Sequence, residues 1–133
     1  MKTLITGASG LVGNSLVDHL FKHGHSIQCL KRNNDDKQKA FWATQSLPQS
    51  TDQTFDTVIH LAGKNVADGR WTATSKKEIL LSRVNGTREL VDYISLLPQK
   101  PKLFLCASAV GYYGSRGDDI LDESSSVGEG FLA

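Results

Sequence analysis

The first thirteen residues, Met1-Lys-Thr-Leu-Ile-Thr-Gly-Ala-Ser-Gly-Leu-Val-Gly13, constrain this chain more than any other stretch. An apolar run at Leu4-Ile5 breaks at Thr6-Gly7, and glycines recur at Gly7, Gly10 and Gly13. Leu11, Val12, Leu16, Leu20 and then His23 follow at helical spacing. The pattern predicts strand, tight turn and helix. In that setting Gly7 takes backbone angles that a Cβ forbids. Gly10 lets a pyrophosphate approach the main chain, and Gly13 lets the helix lie close on the strand. The first N–H groups of the helix lack intrahelical partners and sit at its positive end, which suits a diphosphate. Three glycines can also do no more than make a tight turn. Their place after a strand and before a helix favours the nucleotide reading.

The remaining chain alternates in the same way. Ser26-Ile-Gln-Cys-Leu30 reads as a second strand, with Gly24 ending the helix before it. Residues 40–43 read as a short third strand between polar loops, and residues 57–62 as a fourth that ends at Gly63. A long helix is expected over about 74–96, with Ser75-Lys-Lys-Glu78 as a capping box. Ile79, Leu80, Val84, Thr87, Leu90, Val91 and Ile94 would form its apolar face, and Pro98 and Pro101 would stop it. Residues 103–108 read as a fifth strand, apolar on both faces like a central parallel strand. The expected class is therefore α/β: a Rossmann-like, doubly wound parallel sheet in one domain over residues 1–133, with strand order 3-2-1-4-5. The ligand crevice falls at the carboxyl ends of strands 1 and 4. If the sheet stops after strand 5, that strand is an edge with unpaired backbone groups, and self-association through it is expected.

Formal net charge is +1, from 15 basic and 14 acidic residues, so nothing in the charge balance points to nucleic acid or an anionic membrane. No apolar stretch approaches the ~20 residues of a membrane span. The chain enters its first strand at once, leaving no room for a signal peptide. Cys29 and Cys106 both fall in predicted buried strands and read as free thiols in a reducing, cytoplasmic compartment, with a disulfide left open. His19, His23 and His25 have metal-like spacing, but no carboxylate or cysteine joins them, and no metal site is expected. Asn85-Gly-Thr87 matches a glycosylation acceptor within a helix pattern and is discounted.

Two strand ends carry candidate ligand contacts. Lys31-Arg32 follows strand 2, where an acid usually receives an NAD ribose; cations there suit the 2′-phosphate of NADP, while Asp35 and Asp36 keep NAD open. His60-Leu61-Ala62-Gly63 closes strand 4 beside the glycine turn. Its small residues would let a ribose approach.

Thr6-Gly7-Ala8-Ser9-Gly10-Leu11-Val12-Gly13 resembles the T-G-x-x-G-x-x-G stretch of the extended short-chain dehydrogenase/reductases, the NAD(P)-dependent epimerases and dehydratases. The H-x-A-[AG] match at 60–63 and the Ser108-Ala-Val-Gly-Tyr-Tyr-Gly114 stretch strengthen the likeness. Together with Gly63-Lys-Asn-Val-Ala-Asp-Gly-Arg-Trp71 and the Ser82-Arg83 pair, they are similar to an atypical epimerase-like subfamily of uncertain substrate. The resemblance implies cofactor contacts at Gly7, Ser9, Gly10, Leu11, Val12, Gly13, Arg32, Leu61, Ala62 and Gly63. It implies a substrate-orienting Ser108 and, in the Asn85-Gly-Thr turn, an Asn that organises a water or lysine; a plain helix-surface Asn is an equal alternative. Tyr112 and Tyr113 follow the strand end and are candidates for acid–base work, with Lys64 and His60 as the nearest alternatives; Lys64 is the better of the two, because His60 lies within a strand and is expected to pack. Trp71, Tyr112 and Tyr113 would wall a substrate pocket or simply pack.

Family catalysis also needs a Tyr-x-x-x-Lys pair beyond Ser108. The chain reaches Phe131-Leu-Ala133 without that Tyr, and no Lys follows Lys102. The later strands and the C-terminal substrate domain are missing too. Three readings result: the N-terminal part of an NADP-dependent oxidoreductase or epimerase acting on a sugar nucleotide or related small molecule; a nucleotide-binding or redox-sensing module without turnover; or an interaction protein without ligand. For the chain by itself, nucleotide binding without hydride transfer is expected.

Overall fold

The computed structural model describes residues 1–32, 42 and 54–133. Four parallel strands, β1 (Lys2–Thr6), β2 (Ser26–Leu30), β3 (Thr57–His60) and β4 (Leu103–Cys106), form one sheet in the order β2-β1-β3-β4. Helix α1 (Leu11–Lys22) joins β1 to β2, and α2 (Ala73–Leu96) joins β3 to β4. The chain thus winds from β1 to one side and from β3 to the other. Right-handed crossovers place α1 and α2 on opposite faces. β1 and β3 meet where the winding direction reverses, pairing Thr3 with Thr57 through to Thr6 with His60. That reversal opens a crevice at their carboxyl ends.

Side chains alternate along each strand. Leu4 and Val58, paired in register, point to one face and are fully buried in a core with Leu30, Trp42, Phe55, Leu90 and Leu97. Leu90 and Leu97 come from α2 and its C-cap, so this is the α2 face. Burying one such side chain contributes roughly 1.5–3 kcal/mol before entropy. Thr6 and His60 share the same face, one step toward the crevice.

The helix ends are made locally. Gly24, at φ +75°, ends α1: its N–H donates to Phe21 O and the N–H of His25 to Leu20 O, the paired bonds that close a left-handed C-terminus. The capping box expected at Ser75 and Glu78 is not formed. The N-cap is Thr72, whose hydroxyl accepts from the Ser75 N–H at 3.1 Å, and Glu78 instead pairs with Lys64. A threonine three residues earlier competes better because it stands where the chain is still extended.

Other expectations shift as well. The sheet order is the predicted one without its third strand, for residues 40–43 lie outside the described residues apart from Trp42. Trp42 bridges Arg32 in an antiparallel sense, not the parallel one a doubly wound sheet would give. β3 stops at His60 and β4 at Cys106, each two residues early, as the chain turns into the crevice rim. β4 is an edge, and Leu103, Phe104 and Leu105 are exposed. Cys106 is exposed too, and Cys29 half-buried; both thiols are free. Leu11 and Val12 do not join the α1 packing face: they stand 89% and 66% exposed in the first helical turn. On α2, Ile79 and Leu90 are buried, but Leu80, Val84 and Val91 are exposed.

Candidate nucleotide site

Gly7 leaves β1 at φ +73°, and a Cβ there would stand 2.7 Å from the carbonyl carbon of Leu61 and 2.8 Å from the amide nitrogen of Ala62. Only glycine accepts both that angle and that approach. The Gly10 N–H donates to Gly7 O at 3.0 Å, closing the turn. Gly13, one turn into α1, lies so near that a Cβ would reach 2.1 Å from Gly7 O. The three glycines therefore do different work: conformation at Gly7, helix–turn contact at Gly13, and open access at Gly10, whose Cβ would meet only Gly7 O at 3.4 Å.

Gly10 is the N-cap of α1 and no side chain caps it. The Asn14 N–H returns to Gly10 O, whereas the N–H groups of Leu11, Val12 and Gly13 have no backbone partner among the described residues. They sit at the positive end of the helix, free for an anion.

The crevice beside this turn encloses about 640 Å³. One wall is Gly7, Ala8, Ser9 and Gly10, with Asn14 and Val17 on the following turns of α1. Leu61, Ala62 and Gly63 after β3 also line it, as do Cys29, Leu30, Lys31 and Arg32 at the end of β2, and Trp42. Of the predicted contacts, Gly7, Ser9, Gly10, Arg32, Leu61, Ala62 and Gly63 line it. Leu11, Val12 and Gly13 do not. Asn14 and Val17 were missed, although their spacing from Gly10 puts all three on one helix face. Trp42 is expected in the short third strand and not at the site, because nothing in residues 40–43 says which face of the sheet or which crevice they reach. Trp42 is buried, and its indole N–H donates to Gly86 O at 2.9 Å.

The residues singled out for acid–base work do not line this crevice. The Lys64 ammonium is paired with Glu78, and its backbone N–H donates to Ser82 Oγ at 2.9 Å. Arg83 pins the same loop by donating to Lys64 O, its guanidinium lying over Gly63. Asn85 is exposed on α2, and Ser108 is exposed just past β4. Tyr112 lies in a short 3-10 turn (Val110–Tyr113) with its ring edge-on to Tyr113, while Trp71 packs against Phe131. His19 and His23 stack on one another at the exposed end of α1.

A doubly wound parallel sheet with a close glycine turn at its switch point defines a Rossmann-like protein. The comparisons agree and are narrower. Residues 3–129 match the model of the NAD dependent epimerase/dehydratase family, and the chain belongs to that family. It is similar to the epimerase family protein YfhF of Bacillus subtilis (strain 168), at 37% identity covering all of this chain and 46% of that protein. Among solved structures it is similar to human epimerase family protein SDR39U1 (isoform 2) with NADPH, at 30% identity and a TM-score of 0.82, covering 99% of this chain and 45% of that one. A nucleoside-diphosphate sugar epimerase from Corynebacterium glutamicum aligns at 35% identity and a TM-score of 0.73, over 99% and 28%. The chain spans less than half the length of these proteins and corresponds to their N-terminal part.

Proposed function

We propose that this chain is the cofactor-binding part of an NADP-dependent oxidoreductase of the epimerase/dehydratase type, acting with further polypeptide on a sugar nucleotide or related small molecule. The observation that carries the reading is the crevice itself. A turn that only glycine can make leads into a helix whose first three N–H groups have no partner among the described residues, and the exposed Lys31 and Arg32 line the crevice beside that turn. The cradle fits a dinucleotide: Gly7, Ser9, Gly10 and the amides of Leu11, Val12 and Gly13 would hold the diphosphate. Leu61, Ala62 and Gly63 would face a ribose, and Arg32 a 2′-phosphate. When bound, the nicotinamide supplies hydride exchange. This chain's own residues bind and orient, with Ser108 placed to hold a substrate oxygen.

NADPH binding by calorimetry tests the reading. Arg32 is expected to favour NADPH over NADH by about tenfold or more, because a charge-assisted phosphate contact contributes on the order of 1.5–3 kcal/mol. Arg32→Asp should narrow or invert that preference, and equal affinities unchanged in the variant would refute NADP specificity. Gly10→Val should abolish binding of both nucleotides without unfolding the chain, since a Cβ there has room.

A second reading, a nucleotide-binding or redox-sensing module without turnover, is favoured by one contact. Lys64, the nearest candidate base, is held in an ion pair with Glu78. NADPH oxidation over a carbonyl panel by the 133-residue chain, lost in Ser108→Ala, would exclude that reading.

A further inference from the structure

We infer that His60 is a positioning residue of the nucleotide crevice: as a neutral ring in one tautomer it holds the crevice wall at Ala62, and protonating it weakens nucleotide binding. The inference rests on the dinucleotide reading above and adds a mode of regulation to that site.

His60 is 3% exposed and does not line the crevice. Its Nδ1 lies 2.6 Å from Thr6 Oγ1, and its Nε2 lies 3.0 Å from Thr87 Oγ1. Thr6 is fully buried, and its Oγ1 accepts the Ala62 N–H at 3.3 Å. Thr6 has one hydroxyl proton to place, and His60 Nδ1 is its acceptor. Nδ1 therefore carries no proton, and Nε2 carries one and donates to Thr87. The other tautomer turns an N–H toward Thr6 and strands the threonine proton in a buried site, which costs more than a hydrogen bond returns. A doubly protonated ring has the same defect.

The chain of bonds thus runs from α2 through His60 and Thr6 to the amide of Ala62. That amide is the one against which Gly7 is packed, 2.8 Å from where a Cβ would stand. Close-packed backbone transmits a shift at Ala62 to the turn that receives the diphosphate.

Among the described residues, the side chains that meet the ring are Thr6 from β1, Thr87 from α2 and the edge of Trp42, 5.8 Å between centroids. Its register partner in β4 is Cys106, a thiol held above its ordinary pKa by desolvation and so uncharged. No carboxylate or cation is among them. Burial accordingly pushes the imidazole below its usual range, and the ring is neutral at physiological pH.

The test is NADPH affinity as a function of pH, from about pH 8 to about pH 5. NADH, which lacks the 2′-phosphate that itself titrates at about pH 6, is titrated in parallel so that the step read is the protein's; the wild-type chain should bind it at constant affinity at the upper end and lose affinity through a one-proton step below the ordinary imidazole range. His60→Gln should bind about three- to tenfold more weakly at the upper end, the effect of one buried hydrogen bond, and show no such step. A step that persists unchanged in His60→Gln overturns the inference. Failure of the wild-type chain to bind NADPH at any pH overturns the nucleotide reading, and the two failures are distinct. If His60→Gln does not fold, Thr87→Val replaces it: it removes the Nε2 partner and should move the step. Nitrogen-15 shifts of the imidazole read the tautomer directly, and a protonated Nδ1 at neutral pH would also overturn the inference.

Discussion

β1 and β4 are made of similar residues and live in different environments. Leu4 and Ile5 are fully buried, whereas Leu103 and Leu105 are each 47% exposed. β1 is paired on both edges, to β2 and to β3, while β4 is paired to β3 alone. An apolar strand is thus core or surface according to its place in the sheet. The lesson extends to α2. Its Ile79 and Leu90 meet the core while Leu80, Val84 and Val91, equally apolar, stand open. One side of the molecule is packed around the crevice, and the other presents apolar groups without a cover in this chain.

That contrast can be broken most strongly at the packed side. Leu90→Ala should cost about 2–5 kcal/mol in chemical denaturation, and Leu103→Ala well under 1 kcal/mol. Equal costs would mean that β4 is covered in solution. Gly13→Ala should be the next largest, about 1–3 kcal/mol or more, because its Cβ would meet Gly7 O at 2.1 Å. It should also abolish NADPH binding, since the turn must move. Gly69→Ala, also at positive φ (+73°) but with nothing within 4 Å, should cost roughly 1–2 kcal/mol and leave binding intact.

At the open side, self-association through the free edge of β4 is proposed, and Leu105→Lys should suppress it with a stability change within about 0.5 kcal/mol. Sedimentation of both proteins at high concentration checks this; a wild-type chain that stays monomeric would remove the proposal. The smallest effect concerns pH. Burial lowers the pKa of folded His60, so the unfolded chain takes up a proton near 6.5 while the folded one does not. The associated stability is complete above that value and declines as pH falls below it. His60→Gln should flatten this part of a stability–pH curve.

The placement of the candidate site was legible to different depths. The turn at Gly7, Gly10 and Gly13 could be read because its requirements are local: a positive φ, a close helix and an uncapped N-terminus all follow from adjacent residues. Arg32 and the 61–63 wall could be read because a strand end has a known position in a doubly wound sheet. Trp42 could not, since the four apolar residues 40–43 are too short a run to say what their side chains meet. Ser75 and Glu78 had the spacing of a capping box, yet Thr72 took the cap. Spacing alone does not say where an extended chain first turns.

His60 marks the boundary between the two kinds of information. Its place at the end of a strand, two residues before Ala62, follows from the order of residues. Its partners lie 54 residues away at Thr6 and 27 residues away at Thr87, and only the packing of α2 on the folded sheet brings both hydroxyls to its two nitrogens. Sequence by itself determined most of the elements and the glycine turn, because short-range sterics and helix-end chemistry decide those. Tertiary structure decided which apolar strand is core, which lysine is paired and which hydroxyls meet a buried imidazole, because burial and hydrogen-bond satisfaction depend on neighbours that are remote along the chain.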